Sequence, residues 1–508
     1  MRFTRNSIAS KACVAGLTFA TALAMVPTAA FGASLENNTG NITINKLESG
    51  DTVTAYQILN RHYDEGTNNV TDTFMDGTGY TLEQFQALKD DKGVYEKGSA
   101  MQVAADKIAS AIKTKKATAL NEMSANANAD GTATITDAPA GEWLILVTGK
   151  NGTTRVYQNT IVSNAPVAEN GTYVAKDAIA AIKYKEEEVH KGIGTTAADA
   201  EDTNKKTADG LFGIGDLVPF VISTTVPNYP ENSTQVKFVI GDTPSAGLAI
   251  QNDDTNPIKV TVNGTEVKAT ADDGSTNYTL SLSNGVLTIT FDKAYILKHT
   301  GESVLVNYKA KVTSDAQVTE TDTTHNSATI TFNTNPYEES ESKPGDETEV
   351  KTYGLFFLKK GDNNPLKGAT FQIKYKDGDK AGQFVLGDDG KPLSCITQDD
   401  GIVWFEDLAA GTYTLVETHA PTGYQAVKDF DVTITAGANA DNPATPNVKE
   451  TNYVQYKPTD GVTDPKVGLL PTTGDAGTIG LTSAGICLVA GSAFVISSRV
   501  RRSKDDQE

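Results

Sequence analysis

Tyr413-Thr414-Leu415-Val416-Glu417 reads as a β-strand whose apolar face, Tyr413 and Leu415, ends on an acid. The pattern recurs with other polar groups at apolar positions. Val236, Phe238, Ile240 and Asp242 share a face, as do Val189 and Lys191, then Asn326, Ala328, Ile330 and Phe332. Phe356, Leu358 and Lys360 give the same reading, with a lysine pointing where core residues point. An isolated charge in a core is very costly, so each must be paired, neutralised or consumed.

Outward from these strands the chain divides into three β-rich blocks. The spacing predicts a first domain over 34–182, opening with Ile42-Thr43-Ile44-Asn45-Lys46 and holding Trp143-Leu144-Ile145-Leu146-Val147. Between them Thr81 and Gln84 resemble a capping box, and Met101, Ala105, Ile108 and Ile112 recur at helical spacing. A second domain spans 183–338, punctuated by the turn pairs Asn263-Gly264, Asp273-Gly274 and Asn284-Gly285. The charged stretch 339–351 reads as a linker, 352–456 as a third domain and 457–469 as a polar spacer. The expected class is all-β, immunoglobulin-like sandwiches in tandem, the first with helical insertions.

Both ends carry targeting patterns. Arg2, Arg5 and Lys11 precede the apolar run Ala12 to Val26, and small residues follow, so 1–33 is expected to be a secretory signal peptide. At the other end stand Leu470-Pro471-Thr472-Thr473-Gly474, an apolar run over about 479–496, and the basic tail Arg499, Arg501, Arg502 and Lys504. Roughly 18 to 20 apolar or small residues are the least that cross a bilayer, and the basic cluster holds the tail inside. Residues 470–508 resemble the cell-wall sorting signal of Gram-positive surface proteins. That resemblance implies sortase cleavage between Thr473 and Gly474, a transient membrane intermediate and attachment to peptidoglycan.

A net charge of −20 argues against nucleic acid or anionic membranes as partners. Of three cysteines, only Cys395 lies outside the two targeting segments, so no intramolecular disulfide can form in the mature protein. The five histidines show no metal-ligand spacing, no cofactor is expected, and no nucleophile elbow, phosphate loop or dinucleotide fingerprint occurs.

Lys360-Gly361-Asp362 with Leu366 to Phe371, and Tyr413-x-Leu415-x-Glu417-Thr418-x-Ala420-Pro421-x-Gly423-Tyr424, resemble a collagen-adhesin B-type domain. The resemblance implies an intramolecular isopeptide bond from Lys360 to a terminal Asn, with Glu417 as catalytic acid. Asn447 fits the family's terminal pattern better than Asn452. Gly215-Asp216, Asp242-Thr243 with Gly247-Leu248, and Asn326-Ser327-Ala328 resemble the second domain of fimbrial shaft subunits. There the implied bond joins Lys191 to Asn326, with Asp242 as the acid and Asp216 as the second choice. The first domain offers only fragments, Lys46, Asn164 and Glu142. Burial favours the neutral amine and the protonated carboxyl that such a reaction needs.

Three sandwiches, two internal cross-links and a sorting signal together resemble a sortase-assembled major pilin. The resemblance implies a covalent fimbria in which Thr473 is joined to a lysine of the next copy. Ala181-Ile182-Lys183-Tyr184-Lys185 stands where such pilins carry a V-Y-P-K motif but lacks its proline, which leaves Lys183 and Lys185 as candidates. Implied partners are a pilin-specific and a housekeeping sortase, further copies of the chain, accessory pilins, peptidoglycan and a host surface receptor. The protein is expected not to be an enzyme. The alternative is a monomeric wall-anchored adhesin binding a host ligand.

Overall fold

The computed structural model describes residues 39–64, 69–88, 99–169, 172–174, 176–318, 324–441, 449–458 and 461–467. The signal region, Asn447, the segment 470–474 and the apolar run 479–496 lie outside the described residues. Among the described residues no helix is long and apolar enough to cross a membrane.

The architecture is all-β, with two-sheet sandwiches in succession. In the first, Thr39–Asn45 lies between the parallel strand Ala178–Ala181 and the antiparallel strand Ala133–Pro139. The facing sheet runs Asn69–Phe74, Thr52–Asp64, Gly141–Thr148 and Thr160–Ser163. Apolar residues of the two sheets, among them Ile42, Ile44, Val53, Trp143 and Ile145, close one core. The other face of the second sheet is covered by the helices. Thr81 and Gln84 form the capping box of Leu82–Gln86, and Ser99 caps Ala100–Lys113. Phe85, Met101, Ala105 and Ile108 pack there on Tyr56, Ile58 and Leu144.

In the second sandwich, one sheet runs His190–Ile193, Leu217–Thr225, Ser303–Val312, Lys259–Val262 and Thr265–Glu266. Its partner runs Thr207–Asp209, Gly345–Lys351, Thr324–Asn333, Phe238–Pro244, Val286–Phe291 and Tyr278–Ser283. Asn263 and Gly264 take φ of 48° and 77°, and Asn284 and Gly285 take 50° and 79°, the left-handed pair that tight hairpins require. The stretch expected as a linker is therefore largely strand. Gly345–Lys351 pairs with Thr324–Asn333 on one side and Thr207–Asp209 on the other. Its Val350 is fully buried, a single apolar side chain that a composition reading overlooks.

The third sandwich pairs Tyr353–Gly361 with Ile402–Leu408 and, in parallel, with Tyr453–Gln455 and Val462–Asp464. The second sheet is Ser394–Ile396, Thr370–Tyr375, Gly411–His419 and Phe430–Ile434. Val462–Asp464 reads as spacer in the sequence but belongs to the sandwich: Val462 and Asp464 are 5% and 2% exposed.

Neighbouring sandwiches share polar and apolar contacts. Tyr337 enters the helix-side core of the first sandwich, and Tyr157 N–H donates to the Thr334 carbonyl at 3.0 Å. Ile214 joins the core of the third, and Val318 packs on Phe356 and Tyr453.

Candidate functional site: two buried lysine clusters

Among the described residues the buried lysines are Lys191 and Lys359, both 0% exposed. Each is fixed by strand register against an acid and a second acyl group.

In the second sandwich Lys191 stands opposite Ile222 on the edge strand His190–Ile193. Its amide N–H donates to Asp346 Oδ2 at 2.7 Å, and Lys206 Nζ donates to its carbonyl at 2.5 Å, so the main chain on both sides of its Cα is held. The Phe220 and Tyr308 rings stack on each other, and Nζ lies 4.9 and 5.1 Å from their centroids. Nζ contacts Asp242 Oδ2 and the Tyr308 hydroxyl. Asp242 and Asn326 lie on adjacent strands, Asp242 opposite Ala328 and Asn326 opposite Pro244. Asn326 Nδ2 donates to the Tyr308 hydroxyl at 3.0 Å. Lys191, Asp242 and Asn326 are all fully buried.

Desolvation pulls the Lys191 amine below the ordinary lysine range, opposed by the Asp242 charge. Asp242 Oδ1 and Asn326 Oδ1 are both buried acceptors without a donor. A proton moved from Nζ to Asp242 keeps the net charge and turns one of these orphan acceptors into a donor. The cluster thus holds a nucleophile, an acid and a carboxamide in a dry pocket. Asp216, the alternative acid, is elsewhere: it accepts from Gly213 N–H at 2.9 Å and pairs with Lys380 at 2.5 Å.

In the third sandwich the structure corrects the lysine by one position. Leu355 and Phe357 face the sandwich core and Lys359 continues that face, whereas Lys360 is half-exposed, with its Cε near Gly461. The phase was hidden because Leu355, Phe356 and Phe357 are all fully buried. Phe356 points the other way, onto Val318, Trp404 and Tyr453. A run apolar on both faces has no period to read, and a one-residue slip exchanges the faces.

Lys359 Nζ donates to Glu417 Oε2 at 2.9 Å and contacts Asp464 Oδ1. Glu417 therefore stands where the sequence reading put it, beside a different lysine. The acyl group on Lys359 is a carboxyl from Val462–Asp464, which lies parallel to the lysine's strand with Val462 opposite Lys359. Asn452 is turned away, its Nδ2 donating to the Val318 carbonyl at 2.9 Å. One lysine here faces two carboxyls, so with all three groups ionised the pocket would carry net −1 in a dry core. Burial pushes the Glu417 carboxyl up to about 7, the Lys359 and Val427 N–H bonds opposing and Asp464 adding to the rise. Glu417 Oε1 and Asp464 Oδ2 are again buried acceptors without donors.

Tyr308 and Asp464 were missed from sequence. Tyr308 was findable: Val304, Val306, Tyr308, Ala310 and Val312 alternate on the core face, and a buried tyrosine hydroxyl needs a partner. Asp464 sits in a strand of three residues, too short for periodicity to mark.

The first sandwich has no such cluster among its described residues. Lys46 is exposed at φ 66°. Asn164 is buried but spent on structure: Oδ1 accepts from Gly141 N–H at 3.0 Å and Trp143 Nε1 at 3.2 Å, and Nδ2 donates to the Ala138 carbonyl at 2.8 Å. Lys183 and Lys185 are exposed where the first sandwich passes to the second. Lys185 is held in Tyr184–Glu186, paired with Arg155–Tyr157. The Lys183 carbonyl accepts from Gln158 N–H at 2.9 Å.

Residues 354–447 match a prealbumin-like fold domain, and 463–506 match the LPXTG cell wall anchor motif. The chain is 27% identical over 337 residues to fimbrial subunit type 2 of Actinomyces naeslundii, covering 58% of this chain and 59% of that protein. In fold it is similar to the T6 backbone pilin of Streptococcus pyogenes, with a TM-score of 0.61 at 17% identity, over 85% of this chain and 99% of that one. It is also similar to the major pilin SpaD of Corynebacterium diphtheriae, with a TM-score of 0.51 at 19% identity, over 82% and 97%.

Proposed function

We propose that this chain, a cell-wall-anchored surface protein with the fold of a backbone pilin, is the repeating subunit of a covalent fimbria. A sortase cleaves after Thr473 and passes its carboxyl to the exposed amine of Lys183 or Lys185 in the next copy. A housekeeping sortase transfers the finished polymer to peptidoglycan, and accessory pilins decorate it. Two internal isopeptide bonds stiffen each subunit. Lys191 attacks Asn326 beside Asp242, releasing ammonia. Lys359 attacks Asp464 beside Glu417, releasing water. Each bond forms once by self-modification, without turnover.

The observation that carries this reading is the pair of fully buried lysines, each paired with an acid, Lys359 also touching the Asp464 carboxyl and Lys191 sharing the Tyr308 hydroxyl with Asn326. A chain with one cysteine in its exported part has no disulfide to resist load, and these clusters are positioned to supply the missing covalent ties. Wall extracts boiled in detergent are expected to show a high-molecular-weight ladder. Lys183→Ala and Lys185→Ala, made separately, are expected to abolish it in one case. A single band from the parent strain overturns the polymer reading, and an unchanged ladder in both variants places the acceptor amine elsewhere.

A further inference from the structure

We propose that Tyr308 is a catalytic residue of the second-sandwich cross-link, its hydroxyl relaying a proton from the attacking Lys191 amine to the departing Asn326 amide nitrogen. The inference rests on the Lys191–Asn326 bond proposed above. The reacting groups meet around one phenol oxygen: Lys191 Nζ contacts it, Asn326 Nδ2 donates to it at 3.0 Å, and the same Nζ is paired with Asp242 Oδ2. A phenol has one proton to give and lone pairs to receive another, so it can accept and donate in a single step. The ring is buried and stacked on Phe220, with centroids 5.7 Å apart, which fixes the hydroxyl in place. Burial also raises the phenol far above its ordinary value, so it exchanges protons without ionising.

The chemistry requires a proton to travel from Nζ to the leaving nitrogen. An amide nitrogen leaves as ammonia, and so needs a proton delivered to Nδ2. Lys191 begins as a neutral amine and Asp242 as a carboxylic acid. The Nζ–Cγ bond forms as the carbonyl electron pair moves to Asn326 Oδ1, which takes the Asp242 proton. Tyr308 then accepts a proton from the cationic Nζ and passes its own to Nδ2. The Cγ–Nδ2 bond breaks, its electron pair leaving with ammonia, and the Oδ1 proton returns to Asp242 as the carbonyl re-forms. Every proton and electron pair is accounted for, with no co-reactant.

The third sandwich supplies the contrast. Its acyl group is the Asp464 carboxyl, its leaving group is water, and Glu417 and Asp464 share the Lys359 amine. The aromatic ring over Lys359 Nζ is Phe371, 5.3 Å to the centroid, which has no hydroxyl.

Tyr308→Phe keeps the ring and deletes the relay. The full chain is expressed, sampled over time and digested, and the joined Lys191–Asn326 peptide is quantified by mass spectrometry. The joined Lys359–Asp464 peptide in the same molecules reports that the third sandwich has folded, and limited proteolysis shows whether the second has. The variant is expected to form the Lys191–Asn326 bond about 100-fold more slowly, the usual scale for loss of one proton-transfer group. Wild-type rates in Tyr308→Phe overturn the relay. Absence of the joined peptide from the wild type overturns the underlying bond instead.

Discussion

Glu417→Gln tests the third-sandwich cross-link at little steric cost. The substitution keeps the side-chain volume and an acceptor for Val427 N–H, and leaves Lys359 paired with Asp464. It removes the carboxyl that burial holds up to about 7 and that shares the lysine. The variant is expected to fold without forming the bond. Lys359 and Asp464 are 105 residues apart (464 − 359), so the tie closes almost the entire sandwich. Constraining a loop of that size in the unfolded chain contributes about 4.7 kcal/mol. At about 4 °C or more per kcal/mol for a domain of this size, the third-sandwich transition should fall by roughly 20 °C. Intact mass gives the chemistry: the parent should be lighter by about 18 Da at this site through loss of water on amide formation, and the variant should not. Calorimetry gives the stability. A variant that still loses water refutes the role of Glu417. One that lacks the bond yet melts within a few degrees of the parent refutes the mechanical purpose assigned to it.

Two further outcomes follow from buried groups near the second cluster. Glu187 is fully buried, accepts from Thr225 Oγ1 at 2.7 Å and Asn228 N–H at 3.1 Å, and burial raises its carboxyl from 4.5 to about 7. A raised carboxyl contributes stability that is present below about pH 4.5 and lost as pH rises through about 7, a loss on the order of 3 kcal/mol. Glu187→Gln should therefore gain on the parent between pH 5 and pH 8 in thermal melts, and parallel pH profiles would sink the assignment. At Gly192 an added Cβ would lie 2.1 Å from the Asp199 carbonyl oxygen and 2.7 Å from the Ala200 Cα. Gly192→Ala should cost about 1–3 kcal/mol by overpacking and leave part of the protein without the Lys191–Asn326 bond, measured by peptide mass; full cross-linking at parent stability would contradict it.

The sequence showed the second cluster more clearly than the third, for a physical reason. Phe238, Ile240 and Asp242 alternate cleanly because one face of their strand meets the core and the other does not. Around Lys359 the strand is buried on both sides, by its own core and by Val318, Trp404 and Tyr453, and the period vanishes. Gly345–Lys351 was hidden by its charge, since its buried positions are Thr348 and Val350 and only Val350 is apolar. Short parallel strands such as Val462–Asp464 take their place from the partner strand, not from their own composition, so Asp464 became visible only in three dimensions.

With the proposed bonds in place, the route of tension through a polymer explains where the clusters stand. Load enters a subunit at Lys183 or Lys185 and leaves at Thr473, so the first sandwich, which ends at that entry point, hangs beside the path. It has no buried lysine among its described residues, and on this route it needs none. From Lys185 the path reaches Lys191 within six residues (191 − 185) and crosses to Asn326, bypassing the folded residues between. At the far end Asp464 lies six residues before Leu470 (470 − 464), and the second tie carries load straight to Lys359. The longest unspanned stretch runs from Asn326 to Lys359, 33 residues (359 − 326) that would reach roughly 110 Å if pulled straight. Its larger part is a hairpin with Asn326 opposite Thr348, so the pull acts across the hairpin's open end. Resistance is supplemented from outside the hairpin: Tyr337 is buried in the first sandwich, and Glu338 is paired with Lys113. The first sandwich, off the load path itself, thereby clamps the longest segment that the covalent ties leave free to extend.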